Sequence, residues 1–324
     1  MSTIPQLGRL DLTETFGIGY IGSILSAILY GITCIQAFHY FRGVGKDPVN
    51  VKALVLLLLV LDTVHQGFIT ALVYHYLVDN FNNPGELERN TWAIAVEIII
   101  TAVIAFIVVC FLVTRLWALS GKNKIVTGVA SVLTVTHLVM NLIFPIKTLP
   151  YRNIVSGARE LKPIGTTGLA VAVFTNVYVS GGLCYYLQRG RTGFKKSDDI
   201  VTKLIALVIT TGLLSTLFVI ANLVALVVAP DKLYDLFFNF LLGKSYINAL
   251  LTTLNAREMI QNSQTTTSNN TLSTSFQTLK SGRSAKVDAI NVVVDVEAFS
   301  NISSPGEQGN VGMMKLGVAR EDSR

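Results

Sequence analysis

Seven stretches of this chain run for 19 to 26 residues with scarcely a charge inside them. An α-helix rises 1.5 Å per residue, so about 20 apolar residues cross a hydrocarbon layer of about 30 Å, and each stretch has that length. The runs are Phe16 to Phe38, Ala53 to Val78, Trp92 to Trp117, Ile125 to Phe144, Gly165 to Leu187, Leu204 to Ala229 and Leu236 to Leu254. Pro145 is expected to stop the fourth, and Arg189 and Arg191 close the fifth. The seventh is the shortest and is split by Lys244. Lipid offers the backbone no hydrogen-bond partners, so runs of this length cross it as helices. The expected fold is all-α integral membrane: a seven-transmembrane-helix bundle with a disordered polar C-terminal tail. Composition agrees, because only 14% of residues are charged where soluble domains carry about 25%. Scattered glycines and only three cysteines, Cys34, Cys110 and Cys184, exclude a collagen repeat and a disulfide-stapled fold.

The net charge of +6 has no compact, aromatic-laced basic patch behind it, so no nucleic-acid partner is expected. In a membrane chain such an excess marks cytoplasmic loops. The connections after the first, third and fifth runs hold eleven basic residues: Arg42, Lys46, Lys52, Arg115, Lys122, Lys124, Arg189, Arg191, Lys195, Lys196 and Lys203. The opposite side holds seven: Arg9, Arg89, Lys147, Arg152, Arg159, Lys162 and Lys232. Residues 1–15 are therefore expected outside and the carboxyl terminus in the cytoplasm, with the plasma membrane as the location. Met1 to Glu14 lacks a seven-residue apolar core, so the first run is expected to act as an uncleaved signal anchor. The membrane domain is placed at 16–257 and a tail at 258–324. Of the 25 residues from Gln261 to Ala285, 18 are Ser, Thr, Asn or Gln, a tract that cannot bury a core and offers sites for phosphorylation. The sequons at Asn269 and Asn301 fall in that tail, away from the glycosylation machinery.

Polar residues at membrane depth are the expensive ones. Asp62 lies near the middle of its run, where an acid costs roughly 2.5–3.5 kcal/mol to insert. His65 and Gln66 follow three and four residues later, and Thr70 adds another turn, so this face must turn into the bundle. It reads either as an ion, proton or ligand site or as a buried hydrogen-bond network that fixes helix packing. Lys244 sits at comparable depth in the seventh run and is expected to neutralise Asp62 across the bundle. A lysine there raises the question of a retinal Schiff base, but the third run is aliphatic from Thr101 to Thr114 apart from Phe106, Cys110 and Phe111. Glu97 and Arg115 read as depth markers that reach interfacial water, with Trp92 and Trp117 as aromatic anchors. Gly19, Ser23, Ala27 and Gly31 form a small-residue stripe on the first run, for close helix packing or for a homodimer. His137 and Asn141 pair at i, i+4 on the fourth run. Soluble-enzyme motifs are missing, and Gly243-Lys244-Ser245 fails as a phosphate loop because Phe238 stands where glycine is required. No catalytic residue, metal or cofactor is expected.

Several ordered runs carry a family resemblance. They are Leu29-Tyr30-Gly31-Ile32, Gln36, Tyr40-Phe41, Asp47, Lys52, Leu61-Asp62-Thr63-Val64-His65, Tyr74, Tyr76 and Asn83-Pro84. Arg115, Lys203-Leu204-Ile205, Thr211-Gly212-Leu213-Leu214, Lys244-Ser245-Tyr246-Ile247-Asn248 and Leu254-Asn255-Ala256-Arg257 complete the set. The chain resembles a fungal, chiefly basidiomycete, family of seven-helix membrane proteins of unknown function. The resemblance covers nearly all of Gly17 to Arg257; it implies the seven-helix fold and adds weight to Asp62, His65, Lys244 and Asn248, without bringing an activity. Thr114-Arg115-Leu116 stands where many animal receptors carry Asp/Glu-Arg-Tyr, so receptor analogy is one of topology. The leading expectation is a non-enzymatic, receptor-like membrane protein with a polar site, for a small ligand or for structure, made of Asp62, His65, Gln66, Lys244 and Asn248. Its partners would be the lipid bilayer, an unknown small ligand and a second copy through the first helix. A small-solute or proton transporter is the alternative, and an intramembrane enzyme using Asp62, His65 and His137 a third reading.

Overall fold

A computed structural model describes residues 17–43, 47–80, 83, 89–191, 195–229 and 234–256. The expected external residues 1–15 and the tail at 258–324 lie outside them. The described residues are helical, with an isolated antiparallel bridge between Arg89 and Asn153 and no strand. The long helices are α1 (Ile18–Gly43), α2 (Val49–Tyr74), α3 (Trp92–Leu119), α4 (Lys124–Thr148), α5 (Lys162–Arg189), α6 (Lys195–Val228) and α7 (234–256). A π-helical turn, His75–Asp79, prolongs α2, and a short helix, Ile154–Glu160, lies between α4 and α5. Six of the helices, α1 to α6, are long and apolar enough to cross a membrane.

The helix ends differ from expectation in instructive ways. Pro145 does not stop α4, which continues to Thr148. A proline inside a helix removes one amide donor, at Pro145 the one for the carbonyl of Asn141, and membrane helices tolerate that loss where the turn beyond is held by other bonds. Here the Thr148 hydroxyl donates to the carbonyls of Phe144 at 2.8 Å and Pro145 at 3.0 Å, while the Asn90 amide from the α2–α3 connection donates to the carbonyl of Thr148 at 2.7 Å. The tight turn between α3 and α4 places Gly121 and Lys122 at φ of 65° and 64°, and the Asn123 side chain accepts from the amides of Ile125 and Val126 to cap α4.

In sequence order α1 to α6 pack on their neighbours, and α3 also touches α5. Each carries large apolar side chains on its outer surface, among them Ile28, Ile35, Val60, Val132, Phe174 and Leu217. α7 does not: none of residues 234–256 is exposed. It contacts α1 through Ser26 and Phe240, α2 through Asp62 and Lys244, α3 through Glu97 and Asn239, and α5 through Asn176 and Tyr246. Lipid is as apolar as leucine, so helices associate through close packing and hydrogen bonds more than through hydrophobic burial. Glycines supply the close approaches. A Cβ on Gly22 would sit 3.0 Å from the ring of Phe237, and one on Gly212 would sit 2.5 Å from Ser180 Oγ. The packing face of α1 therefore runs through Gly19, Gly22, Ser26, Thr33, Ala37 and Tyr40, whereas Ala27 and Gly31 of the small-residue stripe are exposed.

One end of the bundle is covered by chain. Tyr76 donates to the carbonyl of Arg89 at 2.7 Å, Asn90 N–H donates to the carbonyl of Arg152 at 2.9 Å, and Ile154 packs with Ile69, Leu72, Tyr76 and Phe240. At the other end Gln36 donates to Thr252 at 3.0 Å, and Asn255 donates to the carbonyl of Gln36 at 2.9 Å, fastening α7 to α1.

Candidate functional site

Successive helical residues turn by roughly 100°, so positions 62, 65 and 66 fan out on one side of α2 and do not aim at one point. The structure gives each a different partner helix. Asp62 faces α7, His65 faces α3, and Gln66 accepts a 2.9 Å hydrogen bond from Ser26 of α1. Thr70, expected on the same inward face, is exposed and donates to the carbonyl of Gln66 on its own helix.

The first node is Lys244. Its ammonium lies 2.6 Å from Asp62 Oδ1, 3.0 Å from the Asp62 backbone carbonyl and 5.1 Å from the centroid of the Tyr30 ring. Both charged side chains are 0% exposed. A lysine brings three donors and no acceptor, and two oxygens with an aromatic face suit that set. Asp62 Oδ2 has no hydrogen-bond partner among the described residues. Asn248, one turn further along α7, does not join the carboxylate. Its amide donates to the carbonyls of Lys244 at 2.9 Å and Leu29 at 3.2 Å, so it ties α7 to the backbone of α1.

The second node is centred on Glu97, which is fully buried and does not reach interfacial water as its position near the start of α3 suggested. Its Oε1 is 3.0 Å from His65 Nε2, its Oε2 accepts from Asn239 of α7 at 2.8 Å, and Thr101 lies 3.0 Å from His65 Nε2. The cause of the burial is the chain over this end of the bundle, since Ile154 and Phe240 close the space between the ends of α2, α3 and α7. With a carboxylate oxygen opposite, Nε2 carries hydrogen and donates. A Cβ on Gly243 would lie 3.3 Å from His65 Cε1 and 3.4 Å from Nδ1, so the glycine before Lys244 lets α7 pass beside the imidazole. A single additional proton, on the ring or on the carboxyl, makes this node neutral, as the first node already is.

Sequence reasoning missed Glu97, Thr101, Asn239, Ser26 and Tyr30 as partners. The available signal was periodic: Glu97 and Thr101 are one turn apart on an otherwise aliphatic helix, and Asn239 precedes Lys244 by five residues. His137, needed by the enzyme reading, is buried on α4 and makes no hydrogen bond to Asp62 or His65.

Two cavities lie beside α7. One, of about 40 Å³, is lined by Asn176, Ser180, Thr211, Ser215 and Tyr246, with the Asn176 amide donating to the Tyr246 hydroxyl at 2.8 Å. The other, of about 50 Å³, is lined by Asn141, Asn222, Asp235 and Asn239 beside Phe144 and Gly165. Neither Asp62 nor Lys244 lines either cavity.

Long apolar helices, packed side by side and apolar on their outer faces, fit a multi-pass, membrane-embedded helical protein. Within it, residues 172–259 match the model of a family of unknown function (DUF6534). The matched stretch holds most of α5 with α6 and α7, and so Asn239, Lys244 and Asn248; Asp62, His65 and Glu97 lie before it. No curated protein and no solved structure matches the chain.

Proposed function

We propose that this chain is a non-enzymatic seven-helix membrane protein of receptor-like topology, whose two buried nodes hold α7 in one of two positions. α7 serves as the seventh span: its 23 residues rise about 34 Å, enough to cross the hydrocarbon layer. The observation that carries the reading is that Lys244 and Asp62 face each other at 2.6 Å, fully enclosed, instead of facing an open path. An enclosed ion pair is strongly directional and costly to break, which makes it a latch between discrete helix arrangements. A small ligand that preferred one arrangement would act by that difference in affinity alone. The fungal origin, the plasma membrane and an external amino terminus belong to the same proposal. A tag inserted after Arg191 then becomes reachable only after permeabilisation; labelling of intact cells would invert the orientation.

The transporter is the competing reading, supported by the polar residues that descend α7 at Asp235, Asn239, Lys244, Asn248, Thr252 and Asn255. Vesicles with a trapped pH-sensitive dye separate the two. With the protein reconstituted, an imposed pH gradient should decay as in protein-free vesicles; a protein-dependent proton flux abolished by Asp62→Asn would replace the receptor-like reading with a proton path.

A further inference from the structure

The 50 Å³ cavity near the start of α7 shares Asn239 with the second node but not Asp62, His65, Glu97 or Lys244, and carries its own chemistry. Four polar side chains from three helices line it: Asn141 on α4, Asn222 on α6, and Asp235 and Asn239 on α7. Two of the amides are already committed as donors. Asn141 Nδ2 gives its hydrogen to the carbonyl of His137 at 2.8 Å, and Asn239 Nδ2 gives its own to the Glu97 carboxylate at 2.8 Å. Both assignments are forced, because a carbonyl and a carboxylate only accept. Each keeps its Oδ1 for the cavity, together with the second hydrogen of its amide. Asn222 is 4% exposed, and its Oδ1 has no hydrogen-bond partner among the described residues. Asp235 adds a carboxylate, and among the described residues no lysine, arginine or histidine lines the space.

The set is therefore rich in oxygen acceptors, carries one formal negative charge and is walled elsewhere by Phe144, Leu226 and glycines. An anion would meet the Asp235 carboxylate there and, among the described residues, no charged donor, only the remaining hydrogens of neutral amides. A divalent cation takes six or more oxygens, usually from several carboxylates. One carboxylate with three amide oxygens suits a hard monovalent cation, completed by water: at roughly 10–15 Å³ of such volume per water, the cavity holds about three or four molecules of water size. An unpartnered buried amide oxygen is costly, and a bound cation would remove that cost. We infer that this cavity, between α4, α5, α6 and α7, is a binding site for a sodium-sized monovalent cation held by Asp235, Asn222, Asn141 and Asn239.

The test uses the full chain purified in detergent, with sodium chloride exchanged for choline chloride at constant ionic strength. Choline is too large for the cavity and serves as the inert cation. For a site half-filled near 10 mM, about 150 mM sodium should raise the apparent Tm by roughly 3–6 °C over choline, because only the folded state binds. Asp235→Asn should abolish the rise. Asn222→Leu should abolish it too while folding as well as the parent in choline, since it removes the unpartnered oxygen instead of creating one. Should Asp235→Asn fail to fold, Asn222→Leu alone decides the matter. Equal Tm values in sodium and choline, or a sodium-specific rise that survives Asn222→Leu, would overturn the site.

Discussion

Replacing Lys244 by methionine keeps the length of the side chain and deletes its charge. Asp62 is then left 0% exposed with neither carboxylate oxygen partnered, because Oδ1 loses the ammonium and Oδ2 has no partner to begin with. Breaking a buried ion pair from one side costs about 3–5 kcal/mol, whereas replacing both partners is often close to neutral. Asp62→Asn strands the ammonium instead, leaving it a neutral amide oxygen, the backbone carbonyl at 3.0 Å and the Tyr30 ring. Each single variant should therefore lose about 3–5 kcal/mol, and the double variant less than either. At about 2–4 °C per kcal/mol for chains of 150–250 residues, each single variant drops by roughly 6–20 °C in apparent Tm. Thermal scanning of the four proteins in one detergent completes the double-mutant cycle. If the two losses add to within about 0.5 kcal/mol, the side chains are uncoupled and the latch is wrong.

Glu97→Gln should lower stability by about 1–3 kcal/mol, because a neutral amide cannot accept from both His65 and Asn239 as the carboxylate does; an effect within about 0.5 kcal/mol in the same thermal scan would mark it as a surface residue after all. Gly212→Val should cost about 1–3 kcal/mol by forcing α6 away from Ser180, where even one methyl group would lie 2.5 Å from the hydroxyl oxygen, and the same scan reads it out.

The spans were legible because lipid imposes a length and forbids charge, and both show in a single sequence. Their ends were less so. Pro145 looked like a terminator because a missing amide usually ends a helix, whereas here the turn beyond it is held by the Thr148 hydroxyl and the Asn90 side chain. Asp62 and Lys244 could be seen as expensive and at similar depth, and the structure brings them together. The inward turn of His65 and Gln66 could also be read, but not that α2 divides them between α3 and α1. For Glu97, distance from a helix end is not distance from water, because the segment around Ile154, far along the sequence, packs over that end. The two small-residue faces of α1 differ only in what stands opposite, which a sequence does not contain: Gly22 meets Phe237, and Gly31 meets nothing within 4 Å.

α7 is the last of these helices to leave the ribosome, yet it is the one the others enclose. Lys244 alone would cost roughly 2.5–3.5 kcal/mol at mid-membrane, so this segment has little reason to enter lipid unaided. Its slot has to exist first. Until it arrives, the six-helix precursor holds Asp62, His65 and Glu97 as an unfilled polar seam. That seam is the kind of feature by which membrane quality control could tell an unfinished chain from a finished one, and the arrival of α7, with Lys244 for Asp62 and Asn239 for Glu97, would erase the signal.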